Sequence, residues 1–90
     1  MLKEKIGEAA MFEQTAEECV ELSHVCMKMA RKIRGENFTP KTFEELNDNL
    51  HEEIADVLIC LEELEIDNNF IQMWEEKKKA RLKARLGIKE

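Results

Sequence analysis

Ninety residues with 38% charged and 43% hydrophobic side chains fit one folded domain spanning residues 1–90 and suit a folded helical chain rather than a disordered one. Only short apolar runs occur, so no membrane span is expected, and the opening residues carry no secretory pattern. A formal net charge of −6 disfavours nucleic acid as a partner, and Cys19, Cys26 and Cys60, without a Cys-x-x-Cys pair, read as reduced core residues of a cytoplasmic protein.

Helix-forming residues dominate, with one Pro and three Gly, so the predicted fold is all-α. Leu2 to Arg34 reads as one long helix, or as a short one followed by a long one with a break at Gly7. Its apolar stripe runs through Met11, Leu22, Val25 and Met29, and widens to include Phe12, Ala16, Cys19, Val20, Cys26, Ala30 and Ile33. So wide a stripe implies more than one neighbour. Thr15 and Glu18 have capping-box spacing, but the helical pattern runs straight through them.

Residues 35–40 form the clearest loop, with Thr39 as the expected cap and Pro40 in the first turn of the next helix. That helix is expected from about Lys41 to Leu64, with a bend near Asn47-Asp48-Asn49. A short connection at 66–69 leads to a third helix, about Asn69 to Leu86, which Gly87 stops. Short connections favour antiparallel neighbours, giving a bundle of three main helices. So few residues with such wide stripes also predict completion by further copies, as a homodimer or homotetramer.

Two acidic phrases carry the functional signal: Glu17-Glu18-Cys19-Val20-Glu21 and Glu53-Ile54-Ala55-Asp56. Each sets carboxylates at i and i+3, on one face of a helix. At about 100° per residue, Glu18 falls inside the stripe of Met11, Leu22, Val25 and Met29. Glu53 falls inside that of Leu46, Val57, Cys60 and Leu64, and Glu21 and Asp56 lie at the stripe edges. Glu17, Glu52, Glu62 and Glu63 fit an ordinary solvated face. Charges on core-facing stripes are costly unless compensated, and clustered carboxylates with few nearby His or Cys select a hard cation, Mg²⁺ or Mn²⁺.

Glu-Glu-x-x-Glu followed by Glu-x-x-Asp on helices of a small all-α protein resembles the MazG-type all-α NTP pyrophosphohydrolase superfamily, which includes dimeric dUTPases and dCTP pyrophosphatases. The similarity covers roughly residues 8–86. It implies Mg²⁺-dependent cleavage of a nucleoside triphosphate to a monophosphate and pyrophosphate, with Glu18, Glu21, Glu53 and Asp56 as catalytic metal ligands. The spacer between the two motifs is long for the family, and its downstream basic and Asn signature is not cleanly reproduced.

For such a substrate, Lys77, Lys78 and Arg81 of the basic third helix are candidate phosphate ligands, with Lys28 on the acidic side of the first long helix. Trp74 is a candidate for stacking on the base. Two other readings compete. Glu21-Leu22-Ser23-His24 matches half of a di-iron Glu-x-x-His pattern, but Asp48-Asn49-Leu50-His51 supplies Asp in the other half. The second is a non-catalytic helical oligomerisation or adaptor module with solvated acids.

Overall fold

The computed structural model describes residues 2–36 and 40–87. Among these residues the chain is all-helical, with four helices and no strand: α1 (Leu2–Ile6), α2 (Glu8–Arg34), α3 (Phe43–Glu63) and α4 (Asn68–Leu86). Gly7, at φ 91° and ψ 158°, separates α1 from α2, a backbone conformation essentially closed to side chains bearing a Cβ. Helix α2 ends in a Schellman turn. Gly35 takes the left-handed conformation at φ 71°, its N–H donates to the Lys32 carbonyl, and the Glu36 N–H donates to that of Arg31.

The start of α3 differs from expectation. Thr42, not Thr39, caps it; Pro40 precedes the helix, and Thr39 lies outside the described residues. A reciprocal capping box decides the boundary: the Glu45 N–H donates to Thr42 Oγ1, and the Thr42 N–H donates to Glu45 Oε1, both at 3.1 Å. Helix α3 then continues through Asn47–Asn49 without a break. Thr15, as expected, caps nothing; its hydroxyl donates to the Met11 carbonyl in mid-helix.

Helices α2 and α3 form an antiparallel pair. The Lys3 N–H donates to Glu63 Oε1 at 3.0 Å at one end, and Lys3 Nζ lies 3.6 Å from Glu65. Further along, Glu18 of α2 meets Glu53 and Asp56 of α3. Met11 and Leu46 are fully buried and Cys60 nearly so, all on the facing stripes. Cys19 and Cys26 are exposed, contrary to the expectation of three core thiols. Both fall on the flank of the wide α2 stripe that α3 does not cover.

Helix α4 is capped by Asp67, whose carboxylate accepts the Asn69 N–H at 2.8 Å, and ends at Gly87. It has no buried residue and makes no extensive contact with α2 or α3, so within one chain it does not join a three-helix bundle. The reason is visible in its sequence. The face begun by Phe70, Ile71 and Trp74 continues as Lys77, Lys78, Arg81 and Arg85, leaving its second half without an apolar stripe. The result is a flat, open shape of 44 × 40 × 17 Å. Its radius of gyration is 16.8 Å, against roughly 12 Å for a compact chain of this length.

Replacing Thr42 with Ala removes one half of the capping box and should cost about 1 kcal/mol. Urea or thermal unfolding followed by circular dichroism checks this, and Thr42→Ser should restore most of the loss.

Candidate metal centre

The carboxylates are delivered by the stripe that makes the helix pair. Glu18 lies one turn before Leu22 and two turns after Met11; Glu53 lies two turns after Leu46 and one before Val57. When those apolar residues meet across α2 and α3, the two acids are carried into the same seam. Oxygen atoms of Glu18, Glu53 and Asp56 lie within 4.8 Å of one another, and all three residues are half-buried. Glu21 is exposed at the rim, near enough for its charge to act on Glu53.

Partial withdrawal from water raises the Glu53 carboxyl above the usual 4.5, and the charges of Asp56, Glu18, Glu21 and Glu52 raise it further. No cation of the described chain is ion-paired within this cluster. One member is oriented by an amide: Gln14 Nε2 donates to Glu18 Oε1 at 2.8 Å. Gln14 was missed in the sequence, although its position four residues before Glu18 is the spacing that brings such groups together on a helix.

The other candidates are distributed differently. Lys28 is exposed on α2, two turns past Glu21. Lys77, Lys78, Arg81 and Trp74 all lie on α4, with Lys77 Nζ 5.2 Å from the centroid of the Trp74 ring. Trp74 and Lys78 line an open apolar cleft of about 820 Å³ with Ile66, Phe70 and Ile71. Lys78 and Arg81 also border a smaller hollow of about 370 Å³ with Leu82 and Arg85. Neither hollow includes a residue of the acidic cluster. The structure therefore brings together three of the four predicted carboxylates, with the fourth at their edge, and does not add the α4 residues to them.

Both histidines are exposed and neither joins the carboxylates; the His51 ring bonds through Nδ1 to the Asn47 carbonyl at 2.7 Å. The donor set facing the seam is thus all oxygen: three carboxylates, negatively charged together, half shielded and open on one side. Such a set fits a hard divalent cation better than a soft one. No described helix is long and apolar enough to cross a membrane. Comparison of the chain with protein-family models, curated proteins and solved structures finds no match.

The raised carboxyl of Glu53 has a definite pH signature. A group that holds its proton more tightly when folded favours folding below its unfolded value, and that contribution is lost as pH rises through the folded value. Without divalent ions, the melting temperature should therefore fall as pH rises from about 4.5 toward neutrality, and Glu53→Gln should flatten that slope. Glu45, whose carboxyl is lowered chiefly by its backbone and side-chain hydrogen bonds with Thr42, acts oppositely. Its contribution is complete above about 4.5 and is lost only as pH falls below that, so the two effects occupy different windows.

Proposed function

We propose that this protein is a Mg²⁺-dependent nucleoside triphosphate pyrophosphohydrolase, converting an NTP or dNTP and water to a nucleoside monophosphate and pyrophosphate. The observation that supports the reading best is the convergence of Glu18, Glu53 and Asp56 within 4.8 Å in a half-buried seam, with Glu21 at its rim. An acid cluster of purely structural purpose has no evident gain from such placement, because each charge raises the cost of the next. The resemblance of the two acidic phrases to the MazG-type superfamily points to the same chemistry.

In this reading Glu18, Glu53 and Asp56 hold the ion, and Glu21 completes the set on the open side. When bound, Mg²⁺ supplies charge neutralisation at the phosphate chain and lowers the pKa of a coordinated water. Mn²⁺ has the same ligand preference and is an expected substitute. Gln14 keeps the Glu18 carboxylate turned into the seam. The clustered negative charge repels a bare triphosphate, so substrate enters only with its countercation. Lys28, Lys77, Lys78 and Arg81 are the proposed phosphate ligands and Trp74 the base-stacking side chain. Because α4 stands apart from α2 and α3 in one chain, its residues serve a site only in an assembly of at least two chains or after α4 moves.

An oligomerisation or adaptor module is the alternative, favoured by the many exposed apolar side chains. Metal titration separates the readings. At ten times its dissociation constant, Mg²⁺ should stabilise the protein by about 1.4 kcal/mol, a shift of several degrees in melting temperature. A pure adaptor shows no shift. In a panel of triphosphates scored for pyrophosphate release, Glu53→Gln and Asp56→Asn should each lower turnover by at least about a hundredfold while the helical spectrum is kept. Both variants should also lose the Mg²⁺ shift; full activity in either one refutes the site.

A further inference from the structure

The formal charge of −6 conceals a division along the chain. Helix α4 carries six Lys or Arg against two acids, Glu75 and Glu76, while the clustered carboxylates belong to α2 and α3. At 100° per residue, Phe70, Trp74, Lys77, Lys78, Arg81 and Arg85 fall within about 100° of one another on α4, with no acid between them. Glu75 stands about 60° outside that arc, and Glu76 is on the far side of the helix. The stripe runs about 22 Å along the axis, aromatic in its first half and cationic in its second. Both rings meet water, Phe70 being 63% exposed and Trp74 47%. Lys78 lines both the apolar cleft of about 820 Å³ and the basic hollow of about 370 Å³, so ring and cation surfaces are continuous. Two acids border the cleft, and each is engaged: Asp67 accepts the Asn69 N–H at 2.8 Å, and Glu75 lies 4.0 Å from Lys79. Among the described residues, no acid is ion-paired with Lys78, Arg81 or Arg85.

We infer that this stripe of α4 is a docking surface for a single-stranded nucleic acid, with bases stacking on Phe70 and Trp74 and phosphates held by Lys77, Lys78, Arg81 and Arg85. Such a strand repeats a π-face and a negative charge at every residue, and so matches both halves of the stripe at once. At a stacked spacing of about 3.4 Å, a length of about 22 Å holds roughly six nucleotides. A duplex meets the cations but keeps its bases stacked on one another, so the exposed rings gain nothing from it. A lipid surface calls for an apolar face that continues along the helix with basic residues at its sides. Here the cations instead take over the same face from the aromatics. Helix α4 makes no extensive contact with α2 or α3, and neither hollow is lined by their carboxylates, so the acidic seam does not repel a strand from this stripe at close range.

Strand binding goes beyond the proposed pyrophosphohydrolase chemistry and does not need it, although the two share Lys77, Lys78, Arg81 and Trp74. A strand with a 5′-hydroxyl end has no triphosphate to cleave, and its binding is measured in EDTA. The probe is a fluorescein-labelled oligothymidylate of about 15 residues, mixed with the purified full chain. Anisotropy should give a dissociation constant of roughly 1–100 µM at about 150 mM salt. Trp74, the single Trp of the chain, should be quenched in step with it. Four phosphate contacts at about 0.7 each set the slope of log affinity against log salt near −3. Trp74→Ala should weaken binding about five- to a hundredfold, and Arg81→Gln combined with Arg85→Gln should reduce the slope by about 1.4, with the helical spectrum kept. Glu53→Gln, which stops turnover in the catalytic reading, should leave strand affinity within about twofold, so the two proposals fail separately. A slope shallower than about −1 or an unquenched Trp74 overturns the inference. So does tighter binding to polyglutamate, to phosphatidylserine vesicles or to a duplex of equal length than to the single strand.

Discussion

The structure depends on one conflicted contact: two helices meet along apolar stripes that each contain a glutamate. Met11, Leu22, Val25 and Met29 on α2, with Leu46, Val57, Cys60 and Leu64 on α3, draw the helices together. Glu18 and Glu53 come along because they occupy the same stripes. The pair cannot gain its apolar contact without bringing carboxylates together, and it cannot separate them without losing the contact. Desolvation and repulsion at Glu53 are the consequence of that coupling. A bound divalent cation would turn the same coupling from a cost into a clamp across the helices, so folding and ion binding become one equilibrium.

The two sides of the pair divide the remaining work. On the acidic side Glu21 and Asp56 flank the seam, and charge density keeps that face hydrated and open. On the other side α2 is free of charge from Ala9 to Ala30, and α3 presents Ile54 and Leu58. Clustered carboxylates and exposed apolar side chains have opposite solvation needs. Placing them on opposite faces of the same two helices lets both exist in 90 residues. Such small chains rarely stabilise a crowded polar site with their own core.

Much of the helical layout was legible in the sequence because its signals are local. Gly7, Gly35 and Gly87 mark breaks or ends at left-handed backbone positions, and they bound α1, α2 and α4 where expected. The start of α3 was misjudged because two caps competed three residues apart. Thr39-Pro40 carries the familiar signature, but only Thr42 has a Glu at the third helical position to return its hydrogen bond. The weak helix formers Asn47–Asn49 do not break α3, since low propensity yields to the packing of Leu46 and the flanking turns. Cys19 and Cys26 were misplaced because a stripe's width reveals how much surface wants cover, not which molecule covers it.

The acidic cluster was readable for the same reason as the core. A carboxylate at a stripe position shares the periodicity of its apolar neighbours, so finding the stripe also finds the charge. The α4 candidates lacked that support. Lys77, Lys78 and Arg81 were selected for charge and approximate distance along the chain, and neither property specifies the angle at which α4 leaves Leu64–Asp67. That angle is set by tertiary contacts that the second half of α4, with basic residues where an apolar face would continue, does not make within one chain. A helix with an apolar first half and a cationic second half can anchor through Phe70, Ile71 and Trp74 while its Lys and Arg side chains stay hydrated. Its position relative to the carboxylates is then governed by whatever covers Trp74.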